Sequence, residues 1–175
     1  MSAAEVQDAR GAPAETLDAF HYGGFHVLQP KGRGHRSGMD AMLLAALVAD
    51  ERPIRVADLG AGAGAAGMAV ASRLAKAEVV LAERSPDMAD YARRSIDHPL
   101  NARIAARLSV IEADVTATGR ARRAMGLEDD SFDHVIMNPP FNDGSDRRTP
   151  DALKAEAHAM HDGLFESWVR TAGAI

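Results

Sequence analysis

The sequence predicts an α/β fold built on an open, doubly wound parallel sheet. Three observations carry that expectation. Short apolar runs alternate with longer segments of helical pattern, a glycine-rich string follows the first of those runs, and each run ends in polar or glycine-rich residues. Sheets of this kind bind ligands beyond the carboxyl ends of their strands, so the residues at those ends are the candidates for function.

The elements follow in order. Residues 25–29 read as a short strand leading into a Gly- and Arg-rich turn over 30–38, and 40–50 read as a helix. Residues 54–59 form the first strand of the sheet, rich in Ile and Val behind Pro53. Residues 65–76 form an Ala-rich helix with Met68, Val70 and Leu74 at apolar positions. A second strand spans 78–82. A second helix spans 86–96, with Ser85 as its N-cap and Pro86 at its first position. The third strand covers 108–113. The fourth covers 132–137 and is stopped by two prolines, which cannot donate to a ladder. A loop and one helix over about 163–172 complete the pattern. An edge strand left unpaired there predicts that the sequence is a piece of a longer protein, with further strands to follow, or that a partner covers the edge.

A length of 175 residues suits one domain with a full core. The expected organisation is a disordered or loosely docked tail over 1–19, a lid segment facing substrate and cofactor over 20–52, and the ligand-binding domain over 53–175. Cysteine is absent, which excludes disulfides, thiolate metal sites and a cysteine nucleophile, and fits a cytoplasmic protein. The N-terminus lacks the apolar core of a signal peptide, and no apolar run reaches the roughly 18 residues needed to span a bilayer. The net charge of −5 argues against a basic coat for nucleic acid. Local basic clusters remain: Lys31, Arg33 and Arg36; Arg120, Arg122 and Arg123; Arg147 and Arg148. His158 and His161 lie three apart, but without a third ligand in register they point to a surface or substrate-side role, and no metal is expected.

Asp58-Leu59-Gly60-Ala61-Gly62-Ala63-Gly64 follows the first strand and opens a helix. Glycines there permit a tight turn and a close approach of backbone to ligand. Charge chooses between two ligand classes. A dinucleotide would bring a pyrophosphate to the helix N-terminus, where the Asp58 carboxylate opposes it. S-adenosylmethionine has no phosphate and carries an ammonium and a sulfonium, which acidic neighbours favour. Glu83, ending the second strand, can accept hydrogen bonds from ribose hydroxyls in either class. Asp114, ending the third, can accept from an adenine amino group or cap a turn.

Asn138-Pro139-Pro140-Phe141 ends the fourth strand. The Asn138 side-chain carbonyl and the Pro139 backbone carbonyl can each accept one hydrogen of a planar amino group, drawing its lone pair out of conjugation. Proline has no N–H, so Pro139 and Pro140 present carbonyls only. Phe141 offers a face for a base to stack on, worth about 1–3 kcal/mol. Catalysis would then rest mainly on alignment of donor and acceptor.

Together these residues resemble class I S-adenosylmethionine-dependent methyltransferases of Rossmann-like fold that act on amino groups. The segment FHVLQPKGRGHRSGMDAMLLAAL, residues 25–47, is similar to the N-terminal module of bacterial tRNA adenine-N6 methyltransferases acting beside the anticodon of valine tRNA. The resemblance implies that Asp58, Gly60 and Gly62 hold the methionine end of the cofactor. It implies that Glu83 holds the ribose, Asp114 the adenine, and residues 138–141 the target base. Asp40 would lie near the cofactor, with Met39 where the family has threonine. Residues 155–160 read AEAHAM, keeping a histidine but lacking the family's arginine. Arg147 and Arg148, with the turn from Lys31 to Arg36, would contact phosphates of RNA. A small-molecule or protein acceptor, O-methylation included, and a nicotinamide-dependent oxidoreductase stay open as alternatives.

Overall fold

A computed structural model describes residues 15–31, 36–139, 142–143, 159–160 and 163–175. Four parallel strands form its centre: β3 (Ile54–Leu59), β4 (Ala77–Glu83), β5 (Leu108–Glu112) and β6 (His134–Met137), in the spatial order β5-β4-β3-β6. The chain moves outward from β3 to β4 to β5, then crosses back to place β6 on the other side of β3. That reversal puts the topological switch point between β3 and β6, where such sheets open a crevice.

Alternation along the strands feeds two cores. Val56, Val79 and Leu81 face one side with α1 (Met39–Ala46), α2 (Ala65–Arg73) and α3 (Pro86–Ile96). Ala57, Leu59 and Ala82 face the other, with Leu127, Ile175 and Trp168 of α6 (Leu164–Ala172). Between β5 and β6 lies α5 (Gly119–Ala124), which the sequence pattern did not mark. Nor did it mark α4 (Ala102–Ala105), before β5. Both are single short turns with little periodicity to read. A two-residue parallel pairing joins β7 (Asn142–Asp143) to β8 (Ala159–Met160).

The tail expected over 1–19 needs correction at its end. Glu15–Phe20 form a strand, β1, paired antiparallel with β2 (Phe25–Pro30). This hairpin docks on the α3 side of the domain. Asn101 accepts from the His26 N–H at 2.8 Å and donates to its carbonyl at 2.7 Å. Ser95 Oγ accepts from the Leu28 N–H at 2.9 Å. Side chains thus satisfy the outer edge of β2, the edge open to pairing with a further strand.

His21 and Tyr22 in the hairpin loop both adopt left-handed backbone, with φ of 50° and 56°. A non-glycine residue there is strained by about 1–2 kcal/mol. Tyr22 is fully exposed, so its ring contributes little to the fold. Tyr22→Gly is therefore expected to stabilise the protein by about 0.5–1 kcal/mol once glycine's entropy is counted. A thermal melt checks this, with a rise of about 1–4 °C expected.

Candidate active site

The crevice is assembled from the turn after β3 and the end of β6. Leu59 and Met137 are register partners, so Gly60 and Asn138 leave the sheet side by side. In the turn, Gly60, Gly62 and Gly64 all take positive φ, of 69°, 57° and 91°. At Gly60 a side chain is excluded twice over. The backbone is left-handed, and a Cβ would overlap the Trp168 indole. Trp168 therefore braces the turn from the second face of the sheet. Nothing local in the sequence marks that role: Trp168 is the chain's one tryptophan and sits in an amphipathic helix, which marks burial but not the partner.

Asp58 lies beneath the turn rather than in the open crevice. It is 2% exposed, and its Oδ2 accepts from the Gly67 N–H of α2 at 2.8 Å. Burial pushes its carboxyl up to about 7, with the nearby charge of Glu83 adding to the rise and the Gly67 hydrogen bond opposing it.

The linkage of that shift to stability has a definite sign. The unfolded chain ionises Asp58 near 4, while the folded protein keeps it protonated up to about 7. The folded state then holds the extra proton, so Asp58 makes stability fall as pH rises from about 4 to about 7. Asp58→Asn should remove that slope. Melting temperatures of the two proteins across this pH range test it: parallel curves contradict the assignment.

Glu83 ends β4 at the rim. Its Oε2 accepts from the Gly62 N–H and its Oε1 from the Ser85 N–H, both at 2.8 Å. One backbone bond per oxygen holds the carboxylate in place and leaves each oxygen a lone pair for a diol. Asp114 Oδ1 accepts from the Thr116 N–H at 2.8 Å and from its hydroxyl at 2.7 Å. This is the turn-capping arrangement weighed against adenine binding in the sequence.

Asn138 is half-buried and Pro139 buried. The Asn138 Nδ2 donates to Asp40 Oδ2 at 2.8 Å, across 98 positions of sequence. Asp40 Oδ1 in turn accepts from the Gly38 N–H at 3.0 Å. Asp40 thus sits against the Asn138 amide at the end of β6, a contact that its expected place near the cofactor did not include. Pro140, Phe141, Arg147, Arg148, Arg33, His158 and His161 lie outside the described residues. Among the described residues no group of three His, Asp or Glu could hold a metal ion, and no helix is long and apolar enough to cross a membrane.

The donor set suits a cationic nucleoside. Glu83 and Asp114 give the ends of β4 and β5 acidic character, and the glycines of the turn leave backbone open to a close approach. Glu83 is held by backbone with a lone pair of each oxygen open to a diol, so the residues present fit S-adenosylmethionine.

Comparison with known proteins agrees with this geometry. Residues 37–161 match the model of the family described as "Methyltransferase small domain". A solved structure from Agrobacterium tumefaciens, described as a predicted O-methyltransferase, protein Atu636, is 56% identical with a TM-score of 0.63. The match covers 77% of this chain and 54% of that one. The release factor glutamine methyltransferase of Escherichia coli (strain K12) is 29% identical over 96 residues, 55% of this chain and 30% of that protein. The M. jannaschii TYW2 structure in complex with AdoMet shares the fold at 18% identity and a TM-score of 0.53, over 70% of this chain and 50% of that one. The chain therefore spans about half the length of that Agrobacterium structure and 30% of the curated relative.

Proposed function

Because the chain belongs to the methyltransferase small domain family and has the Rossmann-like fold of class I methyltransferases, we propose that it transfers a methyl group to a planar amino nitrogen. Its cofactor is S-adenosylmethionine. The observation that carries the reading is Asn138-Pro139 leaving β6 beside the Gly60 turn of β3. A methyl acceptor and a methyl donor would meet there across one crevice.

The chain's residues divide the work. The Gly60–Gly64 turn and Glu83 bind and orient the donor. Asn138 and Pro139 hold the acceptor. When bound, S-adenosylmethionine supplies a methyl carbon made electrophilic by its positive sulfur. The Asn138 side-chain carbonyl and the Pro139 carbonyl accept the two amino hydrogens, which turns the nitrogen lone pair toward that carbon. No general base is needed for attack, and the extra proton leaves to solvent afterwards. Alignment is the main contribution of the protein.

The preferred acceptor is adenine N6 in tRNA. The resemblance of residues 25–47 to tRNA adenine methyltransferases supports it, as does the Asn-Pro-Pro-Phe string. Lys31, with Arg147 and Arg148, would contact phosphate, and Pro140 and Phe141 would cradle the base. A base presented in a loop needs less unstacking than one in a duplex. A glutamine side-chain amide is the second reading, favoured by the similarity to the E. coli release factor enzyme. It presents the same planar NH2. An O-methyl acceptor, the description given to the Agrobacterium relative, offers one hydrogen to two accepting carbonyls and fits less well. The methyltransferase family match supports this cofactor over a nicotinamide.

Methyl transfer from labelled cofactor to RNA, protein and metabolite fractions tests the acceptor. Label in RNA is expected. Label in protein alone favours the amide, and label in metabolites alone removes the RNA reading.

A further inference from the structure

We propose that Asp40 is the positioning residue that fixes which pole of the Asn138 amide is offered to the acceptor, and thereby selects an NH2 group over a hydroxyl or carbonyl. An amide has a donor end and an acceptor end of nearly equal size, so its orientation follows from its partners. An ionised carboxylate can only accept. With Asp40 Oδ2 at 2.8 Å, the end of Asn138 facing it must be the NH2. Oδ1 is then the pole turned away from Asp40.

Asp40 is itself held. Its Oδ1 accepts from the Gly38 N–H at 3.0 Å. The approach to that residue is anchored by Gln29, which is 1% exposed. Gln29 Oε1 accepts from the Ser37 N–H at 2.8 Å and its Nε2 donates to Asp18 at 2.7 Å. Arg36 pairs with the same Asp18 oxygen at 2.5 Å. The β1–β2 hairpin thus sets the start of α1, α1 sets Asp40, and Asp40 sets the amide.

The consequence is a polarity for the site. Asn138 Oδ1 and the Pro139 carbonyl are two acceptors, and Pro139 has no N–H. An NH2 group satisfies both. A hydroxyl satisfies one, and a carbonyl or unprotonated ring nitrogen satisfies neither. Sites built to hydrogen-bond a substrate group reject analogues that lack it, because buried polar atoms are left unpaired. This selectivity rests on the amino-transfer reading; Asp40's hold on the amide rests on geometry alone.

The test uses the full chain, labelled with ¹⁵N, in wild-type, Asp40→Asn and Asp40→Glu forms. Asn138→Asp identifies the Asn138 side-chain amide signal by deleting it. In Asp40→Asn the new side chain can show either pole, so the Asn138 signal is expected to shift while the backbone spectrum stays folded. Methyl transfer to an RNA transcript or a glutamine-containing peptide should fall about 10- to 100-fold, the equivalent of losing a hydrogen bond to a charged group. Cofactor affinity should be unchanged, and Asp40→Glu should recover much of both readouts. An unmoved Asn138 signal in folded Asp40→Asn, or full transfer by that variant, overturns the proposal. If the signal moves but the wild type methylates no amino probe, the amino-acceptor reading fails and Asp40's hold on the amide stands.

Discussion

Asn138→Ala is expected to lower methyl transfer by about 10²–10³-fold, the usual cost of removing one preorganised hydrogen-bonding partner at the reacting group. S-adenosylmethionine affinity, measured by calorimetry, should stay within about twofold. The split follows from the architecture. In the proposed arrangement the donor is held by the Gly60–Gly64 turn and Glu83, after β3 and β4, whereas Asn138 stands at the end of β6. Stability should change little, since Asn138 is only half-buried and its described side-chain bond is the one to exposed Asp40. A variant that lost cofactor binding in proportion to activity would place Asn138 on the donor side and undo this division of labour.

Gly60→Ala is expected to have the largest effect on the fold and to remove cofactor binding with it. Alanine at φ 69° costs about 1–2 kcal/mol by itself. Its methyl would also overlap the indole of Trp168, which is packed among Leu59, Ala82 and Leu127. Overpacking of that kind costs about 1–3 kcal/mol. A total of about 2–5 kcal/mol corresponds to a fall in melting temperature of roughly 5–15 °C for a chain of this size. Combining Gly60→Ala with Trp168→Leu separates the two causes. The double variant should recover the packing part and keep the backbone part, since a smaller side chain relieves the overlap but not the left-handed φ.

The centre of the sheet was legible in the sequence because β3 and β4 are buried on both faces and so read as dense apolar runs. Ile54–Leu59 and Pro86–Ile96 emerge with the expected boundaries, the second helped by Ser85 as cap and Pro86 behind it. β1 was hidden in what read as a tail. Glu15–Phe20 cover only part of the core, and their alternation is blurred by Asp18, which serves Gln29 and Arg36. The strand-end carboxylates were legible as a set, but not their individual partners. Asp58 read as a rim residue and is buried under the turn; Asp114 is occupied by Thr116. Burial and partner depend on the three-dimensional path of neighbouring loops, which spacing does not encode. The same holds for Asp40 and Asn138, and for Trp168 against Gly60. Each contact joins distant parts of the sequence with no local pattern to announce it.

The central claim is that this crevice methylates an amino nitrogen. Its most direct test is to treat RNA and a glutamine-containing peptide with the protein and methyl-labelled S-adenosylmethionine, then locate the methyl group by mass spectrometry. The account predicts label on an exocyclic or amide nitrogen, N6 of adenine first, that is lost with Asn138→Ala. Label carried on oxygen, or nitrogen label undiminished in Asn138→Ala, would contradict it.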